Sequence, residues 1–265
     1  MATSEAKGKT DATTNAIVIR KCRELDELRS CVALQKEVWN FSDAELIPLR
    51  MFVVAEKIGG QVIGAFEDDQ MIGFALAIPG IRDGHPYLHS QMVGVREGYR
   101  NSGLGRRIKW FQRDDALSRG FELMEWTFDP LEIKNAYLNI EKLGAIARRY
   151  QVNQYGLTTS PLQGGLPSDR LIAEWWLKSK RVQAAQQGCA VPRIEAQRTI
   201  EVPAPIYEWK ASSTMRNHAK SIQDNNKTLF IQAFSNGLSV LNFTRDAAGN
   251  GIFGLGKWDE NVNFS

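Results

Sequence analysis

Residues 88–120 read as a strand, a glycine turn and a helix, and no other stretch restricts the chain's possible folds as much. Arg100-Asn101-Ser102-Gly103-Leu104-Gly105-Arg106 stands where the strand ends and the helix begins. The helix is marked by Leu104, Ile108 and Phe111 at i, i+4 and i+7, the spacing of one helical face. Asp114 and Asp115 break that stripe, which predicts a more exposed far end, and Gly120 is placed to close the helix. Gly103 and Gly105 carry no side chains, so a ligand can come close to the backbone. The first N–H groups of a helix lack intrahelical partners and carry partial positive charge, which favours a phosphate or pyrophosphate. Arg100, Arg106 and Arg107 add formal charge at the same end.

Two familiar phosphate loops do not fit. A Walker A loop needs G-x-x-x-x-G-K-[ST], and no Gly is followed by Lys and then Ser or Thr in that frame. The Rossmann fingerprint needs a third glycine, where this chain has Arg106-Arg107-Ile108, and it normally opens the first βαβ unit. The competing reading is a glycine turn selected for its geometry alone.

The rest of the chain alternates strands and helices. Residues 1–15 are small and polar and read as a disordered tail. A strand at 17–19 and a helix with Leu25, Leu28, Cys31 and Val32 on one face follow. Pro48 can start a second helix that stops at Gly59-Gly60. Residues 62–66 and 71–78 form a hairpin, and the second run is apolar throughout, which predicts cover on both faces. Pro79-Gly80 is expected to end that strand, and a polar loop with His85 to lead into the strand at 88–95. Further strands are expected at 123–128, 146–155 and 171–177, with a helix from Pro130 to Gly144. Residues 158–168 read as a turn-rich loop and residues 178–187 as a solvated helix end or a connector. A long helix at 212–236 and a hairpin of 238–244 with 252–258 complete the chain. This order predicts an α/β fold: a disordered 1–15 tail, a domain over 16–180, and a 181–265 extension packed on it or in a dimer contact.

Composition excludes several classes. Among 265 residues the net charge is +3 with both signs mixed throughout, which argues against a dedicated nucleic-acid partner. Cys22, Cys31 and Cys189 form neither a disulfide framework nor a zinc site, so no metal is expected and a reducing cytoplasm is the expected location. The N-terminus lacks the apolar core of a signal peptide, and no apolar run approaches the roughly 20 residues of a membrane span. No membrane association is expected.

The spacing Arg100-x-x-Gly103-x-Gly105, preceded by Val93-Gly94-Val95, resembles the R/Q-x-x-G-x-G/A signature of the GNAT superfamily of acyl-CoA-dependent N-acyltransferases. Glu141-Lys142-Leu143-Gly144 is similar to that family's later helix end, and the resemblance spans about residues 16–178. It implies a mixed, mostly antiparallel central sheet flanked by helices, here with a C-terminal helix and hairpin extension. It also implies that acyl-CoA is held at Val93, Gly94, Val95, Arg100, Asn101, Ser102, Gly103, Leu104, Gly105 and Arg106. Asn135 and Asn139 are placed to meet the pantetheine arm, or are ordinary helix surface residues. Leu88-His89-Ser90, Phe128-Asp129-Pro130-Leu131 and Leu166-Pro167-Ser168-Asp169-Arg170 resemble a bacterial subgroup linked to acylation of amino acids, sometimes with succinyl groups.

Acyl transfer to an amine needs a base for the amine proton and donors for the oxyanion. His89 lies 11 residues before Arg100, where some family members carry a catalytic Glu, and imidazole can accept that proton. A partly buried, hydrogen-bonded histidine is the alternative. The family's acidic Tyr position is Ile140 here, so Tyr137, Asn139 or water would have to protonate the thiolate. Trp39, Trp126, Trp175 and Trp176 read as core or as pocket walls. Arg82, Arg148, Arg149 and Arg170 read as solvated or as a carboxylate clamp. The expected reaction moves an acetyl or succinyl group from acyl-CoA to a primary amine of a small molecule such as an amino acid. A homodimer is a further expectation. A CoA sensor without turnover and a transferase acting on protein or RNA are the alternatives.

Overall fold

The structure is a computed structural model that describes residues 16–156 and 163–259. The tail expected at 1–15 and much of the loop expected at 158–168 lie outside the described residues. Ten strands form one sheet: β1 (Val18–Lys21), β2 (Gln61–Glu67), β3 (Gln70–Arg82), β4 (His85–Val95), β5 (Leu123–Phe128), β6 (Ile146–Gln151), β7 (Arg170–Trp176), β8 (Arg198–Val202), β9 (Leu238–Arg245) and β10 (Gly251–Lys257). Their order is β1-β2-β3-β4-β5-β7-β6-β9-β10-β8. Among the described residues β4–β5 is the one parallel pair, and the other neighbours run antiparallel. The mixed, mostly antiparallel sheet is therefore present, flanked by α1 (Leu25–Trp39), α2 (Leu49–Lys57), α3 (Leu104–Ser118), α4 (Ile133–Tyr137), α5 (Lys180–Gln186), α6 (Ile206–Ala211) and α7 (Arg216–Ser235).

Strand alternation places the helices in two layers. Phe66, Met71, Phe74 and Leu76 meet Leu28, Cys31 and Leu34 of α1 and Phe52 and Ala55 of α2. Ile63, Ala65, Ile72 and Ala75 meet Leu104 and Ile108 of α3 on the opposite face. The apolar run of β3 is thus covered on both sides.

Several expectations are corrected. Pro79-Gly80 does not end β3, which continues to Arg82. β2 pairs β3 only as far as Ala77, so the missing N–H of Pro79 falls on an edge that needs no donor. The polar loop around His85 is a tight turn at Asp83 (φ 52°) and Gly84 (φ 78°), and β4 begins at His85 itself. The far end of α3 is not more exposed: the Asp115 side chain is 8% exposed, paired with Lys21 and with Arg119 at 2.8 Å. The strand expected to reach 155 ends at Gln151, and the helix after Pro130 starts at Ile133 and continues as a π-helical turn over Leu138–Lys142. The stretch expected as a solvated helix end or a connector is the helix α5, but it is not fully solvated: Arg181, Val182 and Ala185 are buried. The long helix expected at 212–236 is α7, which starts at Arg216, and the short α6 ahead of it, ended by an extended Ser212 (ψ 126°), is an addition.

The C-terminal elements share the sheet and the core. β9 pairs β6 at Val240 and Ala147, and β10 carries β8 on its outer side. Phe230, Phe243 and Phe253 join Trp126, Phe128 and Ile133 in one apolar cluster. A buried ion pair ties α6 to the β5–α4 connection, with Lys210 Nζ 2.9 Å from Asp129 Oδ2 and 2.8 Å from Glu132 Oε1. The Lys210 side chain is 4% exposed and that of Asp129 9%. Removing one member of such a pair leaves a buried charge without compensation. Lys210→Met should therefore lower stability by about 3–5 kcal/mol in urea titrations, with the midpoint falling and the slope unchanged.

Candidate functional site

The glycine turn is built by backbone conformation. Asn101 (φ 62°) and Gly103 (φ 85°) are left-handed, and a Cβ at Gly103 would meet nothing within 4 Å. Gly103 is therefore required by its φ and not by crowding. Gly105 has no such requirement: it lies in the first turn of α3, and an added Cβ would make an ordinary 3.8 Å contact with Val95 Cγ2. Glycine in a helix costs about 1 kcal/mol relative to alanine, and no protein atom accounts for it here. The helical ladder starts with Arg107 N–H to Gly103 O at 3.0 Å, so the amides of Leu104, Gly105 and Arg106 lie ahead of it. Ser102 Oγ donates to Tyr99 O at 2.7 Å and closes the turn on its other side.

The three arginines brace the turn. Arg100 donates to Val95 O (3.2 Å) and Val38 O (3.0 Å). Arg106 reaches Ala185 O at 2.7 Å, and Arg107 reaches Ile17 O at 3.1 Å. Their charge stays near the turn while their donors hold it to α1, α5 and the chain ahead of β1.

β4 and β5 touch and then part. They pair only at Leu88 with Met124 and at His89 with Glu125. Beyond that point β4 continues to Val95, and a register shift opposite Leu76 and Ala77 places Gln91 as an extra residue. Arg96 N–H bonds Ile72 O at 2.9 Å, so the antiparallel alternation turns the backbone groups of Val95 and Val93 away from β3. They face the opening between the parted strands. Gly94 lies between them, and a Cβ there would stand 2.9 Å from Phe74 and from Trp39. Trp39 is thereby a packing residue.

The vertex of this opening has two chemically different faces. On the α3 face lie Ser90 and Trp126. Lys109 Nζ donates to Ser90 Oγ at 2.9 Å and sits 3.6 Å from the centre of the Trp126 ring. Trp126 Nε1–H donates to Asn139 Oδ1 at 3.2 Å, and Asn139 Nδ2–H to Asn135 Oδ1 at 3.4 Å. Asn139 is buried and Asn135 exposed. Trp175 packs edge-on to Trp126 in the same core.

On the opposite face His89, Glu125 and Glu174 lie in one row across β4, β5 and β7. Glu125 and Glu174 are each 2% exposed. Arg82 and Arg149 each contact Glu125 at 2.5 Å, and Arg148 contacts Glu174 at 2.6 Å. Burial lowers the His89 pKa below its ordinary value; the charge of Glu125 opposes this, while Lys109 and Arg149 add to it. A cavity of about 500 Å³ adjoins the row, lined by Arg82, His85, Tyr87, Glu122, Arg148 and Trp176 among others. Arg170 stands apart from this cluster, bonded to Gln163 Oε1 at 3.0 Å. Tyr137 is 36% exposed, with Lys142 Nζ 5.2 Å and Arg245 Cζ 5.9 Å from its ring centre.

Glu125, Glu174 and Lys109 escape a reading by motif. A signal existed for two of them. Glu125 interrupts an otherwise apolar strand, and Lys109 falls one helical turn after Gly105 on the sheet-facing stripe of α3.

Residues 24–138 match the model of the family described as Acetyltransferase (GNAT) family. No curated protein matches the chain. Among solved structures, yncA of Salmonella typhimurium with its cofactor acetyl-CoA is similar at 18% identity and TM-score 0.50, covering 62% of this chain and 95% of that one. The ribosomal-protein-S18-alanine N-acetyltransferase of Escherichia coli is similar at 14% identity and TM-score 0.48, covering 69% and 99%. An N-acetyltransferase of Staphylococcus aureus Mu50 stands at 15% identity and TM-score 0.49, covering 62% and 99%. At these identities the likeness is one of fold. The family match runs through the glycine turn, so residues 24–138 carry a GNAT-family acetyltransferase domain, and the fold around it is the one those structures share.

Proposed function

We propose that the protein moves a short acyl group, acetyl or succinyl, from acyl-CoA to the primary amine of a small molecule that also carries a carboxylate, such as an amino acid. The observation that carries this reading is the parting of β4 and β5 between the glycine turn and His89. A pyrophosphate at the amides of Leu104, Gly105 and Arg106 would send its pantetheine arm along the backbone of Val95 and Val93 that faces away from β3. The thioester would then reach the vertex, where a backbone N–H of β4 can meet the developing oxyanion. The acceptor would enter from the opposite face. There the cavity lined by Arg82 and Arg148, the arginines that contact Glu125 and Glu174, offers donors for a carboxylate, and its volume of about 500 Å³ suits a small acceptor.

In this scheme His89 takes the amine proton as nitrogen attacks the thioester carbon. Its lowered pKa keeps it neutral at physiological pH, and the buried Glu125 beside it balances the imidazolium that forms. The buried Cys22 and Cys31 lie in the core beneath and along α1, away from this row, so transfer in this scheme is direct and uses neither of them. Free thiols and an acyl-CoA donor suit a reducing cytoplasm. Among the described residues no helix is long and apolar enough to cross a membrane.

Thermal unfolding with acetyl-CoA, succinyl-CoA, ATP and NAD at equal concentrations tests the binding half. A CoA ester at about 100 times its Kd should add roughly 2.7 kcal/mol, whereas ATP and NAD should add little. Gly105→Leu should hold or raise the intrinsic stability, by up to about 1 kcal/mol, and abolish the CoA response. A CoA response undiminished in that variant would contradict the proposed approach to the turn.

The pH dependence tests the chemical half. Because His89 must be neutral to act and its pKa is lowered, kcat/KM should rise with pH along a limb centred below the ordinary histidine value of about 6.5 and be flat by neutrality. His89→Gln should remove that limb and cost on the order of 10²–10⁴-fold in kcat/KM. An unchanged acid limb in the variant would assign the base elsewhere.

A further inference from the structure

The chemistry at the vertex leaves one group unused. Lys109 is 6% exposed, and among the described residues no carboxylate pairs with it. Its neighbours are the Ser90 hydroxyl at 2.9 Å, the Trp126 ring at 3.6 Å and the Trp175 ring at 5.9 Å. Ser90 is the first residue of β4 after the strands part, and Trp126 the first of β5. The ammonium therefore spans the two strands at the vertex, on the face from which the pantetheine arm would come. Its orientation is fixed from behind. Ser90 Oγ donates onward to Gln112 Oε1 at 3.1 Å, and Gln112 Nε2 reaches Gln61 Oε1 at 3.3 Å. Gln61 in turn donates to Asp115 Oδ2 at 2.8 Å. This buried chain takes the hydroxyl proton of Ser90, so Ser90 Oγ accepts from Lys109, and the remaining protons of Nζ are directed away from it.

The side chains expected to supply that proton are poorly placed. Tyr137 is exposed between Lys142 and Arg245, Asn139 is engaged with Trp126 and Asn135, and Ile140 is aliphatic and has no proton to give. We propose that Lys109 is the acid of the transfer reaction, donating a proton to the CoA sulfur as it leaves; this rests on the acyl-CoA reading above. As the acceptor nitrogen bonds to the acyl carbon, the C–S bond breaks and its electron pair goes to sulfur. Lys109 Nζ protonates that sulfur, the nitrogen loses its proton to His89, and both groups return to their starting states by exchange with water. Burial pushes Lys109 well below the ordinary lysine range, so it gives up its proton more readily than an exposed lysine does. The face of Trp126 partly compensates the buried charge.

Free CoA, the product, reports the contact without any acceptor. The thiolate absorbs in the ultraviolet, so the thiol of bound CoA can be titrated directly, with the acetyl-CoA complex as a blank because it has no thiol. In the unmodified protein the bound thiol should titrate about one pH unit or more below its value in water, from the adjacent ammonium. In Lys109→Met, which fills the same space beside Trp126, it should titrate as in water, with CoA binding still measurable by calorimetry. A bound thiol that titrates as free CoA does in the unmodified protein overturns the proposal, whether or not the variant folds. Failure of the unmodified protein to bind CoA at all brings down the acyl-CoA reading itself, and the role of Lys109 with it.

Discussion

The architecture depends on a pair of neighbouring strands that run parallel and stay bonded for only two residues. Sheets normally satisfy their backbone groups by continuous pairing, because an unpaired buried amide is costly. Here β4 separates from β5 after His89, and the amides beyond are left to another partner. Such a gap persists only if the flanking strands are held independently. β4 is held by β3 along its whole length, and β5 by β7 at every residue. Helix α3 starts beside the open end of the gap and runs across its α3 face, so one helix supplies both the anion-binding amides and Lys109.

The two faces at the vertex are specialised by strand alternation. Leu88 and Ser90 point to α3, while His89 between them points to the row of buried acids. Adjacent residues can thus serve different reactants. The arginines show a related division: those at the glycine turn are held by backbone carbonyls, and those near His89 are held by Glu125 and Glu174. In both places the cation is fixed before any ligand arrives, which reduces the ordering a ligand must impose.

Much of this was legible in the sequence, and the misses have physical causes. The turn, α3 and the β2–β3 hairpin follow from local signals: glycine spacing, a 3.6-residue stripe and an apolar run. Pro79 was misleading because its effect depends on whether a strand edge is free, which is a property of the neighbouring strand. The far end of α3 is expected to be exposed because composition cannot distinguish an exposed Asp115 from one paired to Lys21 and Arg119. Glu125 and Lys109 carry charge into the interior, against the usual sorting of residues. They become interpretable only once the parting of β4 and β5 is known. The strand β8 was missed since residues 188–211 show no periodic pattern, and its partner β10 lies some fifty residues later.

The C-terminal strands also determine how the sheet meets its surroundings. An open sheet invites pairing with another chain at its outermost strands. β6 would be such a boundary if the chain stopped after β7, but β9 occupies that side. The outermost strands among the described residues are instead β1, with four residues, and β8, with five. β1 carries Arg20 and Lys21, and β8 carries Arg198 and Glu201. Short, charged borders of this kind resist strand-to-strand aggregation.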